Sequence, residues 1–185
     1  MKSGAAAPAV LPDLTGMPAP SLRRRLACFV YEGVLLFGVV MGAGLLYGVA
    51  TRQGHALLGR AGLQALLFVV LATYFSWFWS HGGQTLAMKT WRIRLVGADG
   101  GPVAPLRCLL RYLLAWAWFL PALLTLQFAG IADAWSAATV LAAGVAAYAL
   151  LARLRADRQF WHDALCGTRL VDWHAPERPA QATLR

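Results

Sequence analysis

Charge is what this sequence has least of. Only 14% of its 185 residues are charged, whereas 59% are hydrophobic. A typical soluble domain carries about a quarter of its residues as charged side chains. The scarcity excludes an ordinary soluble domain and predicts an all-α integral membrane protein. Acidic residues are the rarer charges, eight against 17 lysines and arginines, so each acid inside an apolar stretch needs an explanation.

Cysteine pairs and catalytic patterns are also missing. The three cysteines show no CxxC or His-Cys spacing, which favours reduced structural thiols over disulfides or metal ligands. His162 and Asp163 are neighbours, but no motif places a serine or cysteine beside them, and HxxxH and paired carboxylates are absent. We therefore predict no catalytic residues, no metal site and no cofactor. The three cysteines are Cys28, Cys108 and Cys166.

Long hydrophobic runs take the place of these motifs. Each of the four runs is long enough to cross a bilayer as a helix, and we predict a kink at Pro121 in the third. Small residues dominate the fourth run and predict close helix packing there. The predicted spans are residues 26–50, 61–79, 108–128 and 131–152.

Positive charge follows the order of these spans. Fifteen of the 17 lysines and arginines fall in the N-terminal segment, in the loop between spans two and three with the start of span three, or in the C-terminal segment. The positive-inside rule makes that side cytoplasmic, so we predict a multi-pass protein of the bacterial inner membrane with both termini in the cytoplasm. The basic face then predicts contact with anionic lipid headgroups and no binding of nucleic acid.

Outside the spans, the sequence predicts small elements and disordered ends. Residues 1–22, rich in alanine and proline, and residues 174–185 are predicted to be disordered, which leaves a membrane domain over residues 23–173. Alternating apolar and basic residues predict a short amphipathic strand at 91–95, before a turn at 99–101. A second short strand is predicted at 168–173, beside the first. These β-like elements belong to the cytoplasmic face.

Two further patterns concern helix surfaces. Gly38 and Gly42 form one GxxxG pair, and Gly44 and Gly48 form another. Such pairs let helices approach closely, and we favour packing within the chain over a homodimer face. The second span ends in aromatic residues from Tyr74 to Trp79, which we interpret as an interfacial belt in preference to a ligand-binding box.

Three blocks of the sequence together resemble the RDD family of small membrane proteins. They are RRLACFVYE at 24–32, GGQTLAMK at 82–89 and RQFWHDALCGTRLV at 158–171. Glu32 stands where the family usually has aspartate, and Ala87 where glycine is common. The resemblance covers about residues 23–172 and implies an integral membrane protein, with transport proposed for the family. It singles out a loop motif, Gly83, Gln84, Thr85 and Lys89, and a tail motif, His162, Gly167 and Thr168.

The charged residues near the cytoplasmic ends of the spans suggest a network. Arg25 and Glu32 are seven residues apart, about 10 Å along a helix, which is too far for a relaxed direct pair. We therefore expect Arg111 to be the partner of Glu32, because it lies at a similar depth in the third span. Asp163 is then available to neutralise Arg25 or Arg111.

Two interpretations of this network stay open. It either locks the helices together, or it allows Glu32 to titrate or bind a cation or substrate during transport. The first predicted function is accordingly a transporter or channel component. The alternative is a non-catalytic accessory or assembly protein that engages a membrane partner, and a homo-oligomer is compatible with both.

Overall fold

Four helical spans make up most of the protein. The computed structural model describes Leu14 and residues 16–51, 60–131 and 133–174. Four helical segments within these ranges are long and apolar enough to cross a membrane, which confirms the predicted all-α fold with four spans. They are Leu22–Thr51, Ala61–Ser80, Pro105–Ala129 and Ala134–Leu154.

The first two spans are single helices. α1 (Leu22–Thr51) begins four residues before the predicted start, because the arginine run is itself helical and the Ser21 hydroxyl accepts a hydrogen bond from the Arg24 N–H at 3.4 Å. α2 (Arg60–Ser80) follows a loop whose residues 52–59 lie outside the described ranges.

The third span is interrupted. α4 (Pro105–Ala115) and α5 (Leu120–Ala129) are separated by a 3₁₀ turn at Trp116–Trp118. Pro121 lies in the first turn of α5, where its missing N–H and fixed φ are tolerated. In the middle of a continuous helix the same proline would remove a backbone hydrogen bond and break the helix. The α-helix is therefore interrupted close to the predicted kink, in the turn that precedes the proline.

The fourth span packs closely against α5, as its small residues predict. α6 (Ala134–Leu151) is capped by the Asp133 carboxylate, which accepts a hydrogen bond from the Ser136 N–H at 2.8 Å, and it ends in a 3₁₀ turn at Ala152–Leu154. A Cβ added at Gly144 would lie 2.9 Å from the Cβ of Ala122. Only glycine allows this approach of the two backbones.

A two-stranded antiparallel sheet joins distant parts of the chain. β1 (Ile93–Gly97) pairs with β2 (Thr168–Asp172), with Ile93 opposite Asp172 and Gly97 opposite Thr168. Both predicted strands and their pairing are confirmed, although β1 begins at Ile93 because the preceding residues complete the turn after α3 (Leu86–Thr90). The short helix α7 (Trp161–Leu165) precedes β2.

The N-terminal segment is ordered further than predicted. Leu14, only 6% exposed, packs against Val96 and Val171 of the two strands. The Asp172 N–H donates to the Pro18 carbonyl at 3.0 Å. The predicted disordered segment therefore extends too far, since an apolar side chain before the first span covers the sheet. Residues 1–13 and 175–185 lie outside the described ranges.

These contacts bring three segments to one end of the helix bundle. They are residues 16–21, 81–104 and 155–174, which we call the sheet end. The opposite end, where residues 51, 60 and 130 lie, is called the loop end.

Within the described ranges, the four paired glycines of α1 have no neighbour to pack against, so the prediction that they pack within the chain is wrong. A Cβ added at Gly38, Gly42, Gly44 or Gly48 would meet no atom within 4 Å. α1 contacts α2 near the loop end in a different way, because the Tyr47 ring lies so close to Gly62 that a Cβ there would collide with its hydroxyl. The close approach is provided by a glycine of α2.

Candidate functional site

Glu32 is buried in α1 and bonded by two hydroxyl groups. Its side chain is 7% exposed, and Oε1 accepts a hydrogen bond from the Tyr74 hydroxyl at 2.8 Å. Oε2 accepts a hydrogen bond from the Thr85 hydroxyl. Among the described residues no ion pair involves Glu32, so the expected pairing with Arg111 is wrong. The carboxyl group is satisfied by neutral donors from α2 and the loop.

Thr85 links this carboxyl group to the middle loop. While its hydroxyl donates to Glu32, the same oxygen accepts the Met88 N–H at 3.2 Å and caps α3. The side chain is fully buried. A serine or threonine side chain can make both hydrogen bonds, because its hydroxyl has one donor and two acceptor lone pairs.

The residues before Thr85 hold the loop against β1. Gly83 has φ of +70°, and a Cβ there would collide with the Leu95 carbonyl oxygen. The Gly83 carbonyl accepts the Leu95 N–H at 2.7 Å, and the Gln84 amide donates to the Ile93 carbonyl at 2.7 Å. Two of the four loop-motif residues, Gly83 and Gln84, therefore position the third, Thr85. Lys89, the fourth, is exposed on α3 and is not one of the residues that donate a hydrogen bond to Glu32.

Arg111 pairs with Asp163. Arg111 Nε lies 2.7 Å from Asp163 Oδ1, and Asp163 is completely buried. The guanidinium also lies over the Trp79 ring, 4.1 Å from its centroid. This pair joins α4 to α7, and it confirms the prediction that the tail acid neutralises an arginine of the spans.

His162 completes the cluster as a neutral side chain. Its Nδ1 accepts a hydrogen bond from the Trp118 indole N–H at 3.3 Å, which leaves the proton on Nε2, 3.4 Å from Asp163 Oδ1. Burial lowers the pKa of His162 to about 4, although the neighbouring Asp163 acts in the opposite direction. The Tyr148 hydroxyl accepts the His162 backbone N–H at 3.2 Å.

Arg25 is bonded mainly to backbone carbonyls. Its Nε donates to the Pro20 carbonyl at 3.0 Å and its Nη2 to the Arg158 carbonyl at 2.6 Å, and the guanidinium lies over the Phe160 ring. Nη1 is buried without a hydrogen-bond partner among the described residues. The predicted network of four charges thus divides into a Glu32 group, an Arg111–Asp163 pair and a separately held Arg25.

The rest of the tail motif shapes the chain around Asp163. Gly167 has φ of +62°, and its carbonyl accepts the Ala98 N–H at 2.8 Å. The Thr168 hydroxyl donates to the Asp163 carbonyl at 3.1 Å. Both residues therefore hold α7 and β2 in place, and neither contacts Glu32.

A cavity of about 440 Å³ lies between α1 and the other helices. Most of its wall is apolar or aromatic, including Phe29, Phe75 and Trp116. The polar exceptions are few and converge from four parts of the chain. They are Arg25, Glu32, Thr85, Arg111 and His162.

Several residues of the site were missed by the sequence interpretation. Tyr74 was assigned to an interfacial belt, and Trp118 to the apolar part of the third span. Arg24 was expected to reach lipid, yet it forms an ion pair with Asp172 and donates to the Trp91 carbonyl at 2.6 Å.

Comparison with known protein families matches residues 19–167 to the RDD family. The chain belongs to the RDD family. No curated protein and no solved structure shows significant similarity to it. The matched range contains Arg25, Glu32, Arg111 and Asp163 together with the whole loop motif, so the site described above is built from the RDD part of the chain.

RDD membership and the four apolar helices make this an integral membrane protein. Ala87, where the resemblance led us to expect glycine, is fully buried in α3 and packs into the core beside Met88. Glu32, the other departure, uses both carboxylate oxygens in hydrogen bonds. Among the described residues, no three His, Cys, Asp or Glu side chains cluster as a metal site.

Proposed function

We propose that this RDD protein is a non-catalytic membrane transporter or transporter subunit, in which Glu32 exchanges a proton or a monovalent cation. The observation that carries the proposal is the position of Glu32 on the wall of the cavity of about 440 Å³, held by hydroxyl groups instead of a countercharge. An ionisable group at membrane depth is costly, and one beside a cavity is typical of an ion or substrate pathway.

The neighbouring groups fit this role. The hydroxyls of Tyr74 and Thr85 are oxygen donors that can rotate, so they can bond either a carboxylate or a carboxylic acid. Arg111 lines the same cavity but is engaged by Asp163. Glu32 is the acid on the wall of this cavity, and among the described residues it has no ion-pair partner. Four helices enclose little space, so we propose that the transporting unit is an oligomer or is completed by a membrane partner.

The proposed orientation places the sheet end in the cytoplasm of a bacterial cell. Its arginines and lysines support this, because the positive-inside rule orients spans by their basic loops. Reporter fusions after Arg60 and Gly130 should then report an external location, and fusions after Asp99 and at the C-terminus a cytoplasmic one.

Flux across liposomes tests the proposal. Purified protein is reconstituted with a pH-sensitive dye inside, and a proton flux is followed after a K⁺ or Na⁺ gradient is imposed. Glu32→Gln should abolish the flux, since the amide preserves the size of the side chain but carries neither a charge nor a titratable proton. Asp133→Asn is the matched control, because asparagine caps α6 as well as aspartate does and Asp133 is exposed at the loop end.

Equal flux in wild type and Glu32→Gln, with both proteins folded by circular dichroism, would overturn the proposal. Loss of flux in Asp133→Asn as well would point to a general defect of the variants and also count against a specific role of Glu32.

A second candidate, an accessory or assembly protein, is favoured by the uncovered glycine face of α1. Gly38, Gly42, Gly44 and Gly48 have no neighbour within 4 Å of an added Cβ, so another helix can approach there. Crosslinking of cells should then recover one stoichiometric membrane partner through α1. Recovery of the protein alone would count against this candidate.

A further inference from the structure

A second cavity, of about 640 Å³, lies at the sheet end between the start of α1 and the end of α6. Four arginines line it and no carboxylate does, a feature that the transport proposal leaves unused. We call it the arginine groove. Its charged residues are Arg23, Arg25, Arg153 and Arg158.

Among the described residues, three of these arginines have free side chains, and the fourth, Arg25, is bonded only in part. The side chains of Arg23, Arg153 and Arg158 make no hydrogen bond or ion pair within the described ranges. Arg25 is 6% exposed, and its Nη1 is one of the buried nitrogen atoms without a partner. Four guanidinium groups that line one cavity, with no carboxylate in its wall, favour the binding of an anion there.

The acids of this region are already bonded. The Asp157 carboxylate accepts two hydrogen bonds from Arg155, at 3.0 and 2.9 Å. The Asp163 carboxylate accepts the Arg111 Nε–H at 2.7 Å. Among the described residues, neither acid forms an ion pair with an arginine of the groove, so an anion from outside can bind there.

The place of the groove decides what kind of anion fits. Arg23 lies in the first turn of α1 and Arg153 in the last turn of the fourth span, so both lie where a span meets the headgroup layer. Leu22 and Ala152 add apolar wall. Guanidinium groups bind phosphate oxygens well, and an apolar wall beside them suits the start of an acyl chain.

We propose that the arginine groove binds the phosphate of an anionic phospholipid headgroup. The site is separate from the Glu32 cavity, although Arg25 lines both, and the proposal holds whether or not the protein transports ions. Arg158 supports the geometry through its backbone, because a φ of +52° turns its carbonyl onto Arg25.

Native mass spectrometry of the full-length protein in detergent tests this. It is titrated with phosphatidylglycerol, with zwitterionic phosphatidylcholine, and with inorganic phosphate. The double variant Arg23→Gln/Arg153→Gln removes two exposed groove arginines. Its control, Arg92→Gln/Arg107→Gln, removes the same charge from exposed positions outside the groove. Since each arginine near an anionic headgroup contributes about fivefold in affinity, the groove variant should bind phosphatidylglycerol about 25-fold more weakly.

The control should keep wild-type affinity, and each single groove variant should lose about fivefold. Equal losses in the two double variants would overturn the proposal, because the effect would then be one of overall charge. Inorganic phosphate that displaces phosphatidylglycerol at comparable concentration would also overturn it, in favour of a site for free anions.

Discussion

The two ends of the bundle are held together in different ways. At the sheet end, buried polar groups from distant parts of the chain bond one another, as Glu32 does with Tyr74 and Thr85 and Arg111 with Asp163. Toward the loop end, the helices meet through small or aromatic side chains, such as Gly144 on Ala122 and Tyr47 on Gly62. Two large side chains at this end, Phe128 and Trp135, are each 86% exposed.

This difference shows that forming a membrane span and fixing which helices pair make different demands on the side chains. Any sufficiently apolar helix will cross a bilayer, so the loop end tolerates change. Buried polar groups bond only to partners of matching geometry. Removing one partner leaves the other buried without a hydrogen bond, which lowers the free energy of unfolding. Substitutions at the sheet end should therefore be much more damaging than equivalent ones at the loop end.

The largest contrast should come from one acid at each end. Asp163→Ala leaves Arg111 buried without its partner and should lower the free energy of unfolding by about 3–5 kcal/mol. Asp133→Ala removes only an exposed helix cap and should lower the free energy of unfolding much less. Denaturant titration in detergent measures both. Equal losses for the two variants would remove the distinction between the ends.

Two glycines give the next largest contrast. Gly83→Ala forces a Cβ onto the Leu95 carbonyl at a positive φ and should cost about 2–3 kcal/mol. Gly42→Ala enters open space in α1 and should be neutral or stabilise the helix by up to about 1 kcal/mol. Thermal unfolding of the two variants decides this. A destabilised Gly42→Ala would instead reveal a helix packed on α1.

Two threonines sharpen the comparison further. Thr85→Val removes the hydroxyl that caps α3 and bonds Glu32, and should cost about 1–2 kcal/mol. Thr139 bonds only the Trp135 carbonyl of its own helix, so Thr139→Val should change stability by less than about 0.5 kcal/mol. The same unfolding assay applies, and a cost for Thr139→Val as large as that for Thr85→Val would contradict the contrast.

Near neutral pH, the smallest expected effect is a pH dependence from His162. Its pKa of about 4 lies below the usual value of 6.5. Between these two pH values His162 is protonated in the unfolded chain but neutral in the folded chain. Stability is therefore complete above about pH 6.5 and falls as the pH drops toward 4, by about 1 kcal/mol between pH 6.5 and 5.5. His162→Gln should remove this part of the slope. An unchanged slope in the variant would show that His162 titrates normally.

The sequence predicted the spans well because apolar length is a local property. Both strands and the kink at Pro121 were predictable for the same reason, since alternation and a missing N–H are visible in a few residues. The partner of Glu32 was not, because depth along a helix does not say which way a side chain points. Arg111 has the right depth, yet it faces Asp163, while Tyr74 reaches Glu32 from α2. Helix rotation and the fold of the loop decide such pairs.

The most direct test of the account is whether the cavity beside Glu32 is reached by water. Gly33 lines the cavity and an added side chain there meets no atom within 4 Å, whereas Gly38, on the same helix, lies outside it. With Cys28, Cys108 and Cys166 replaced by alanine, Gly33→Cys and Gly38→Cys are each treated with a charged, membrane-impermeant thiol reagent. The account predicts that the Gly33→Cys protein is labelled and loses its proton flux, and that the Gly38→Cys protein is not labelled. Absence of labelling at Gly33, or equal labelling at both positions, would contradict it.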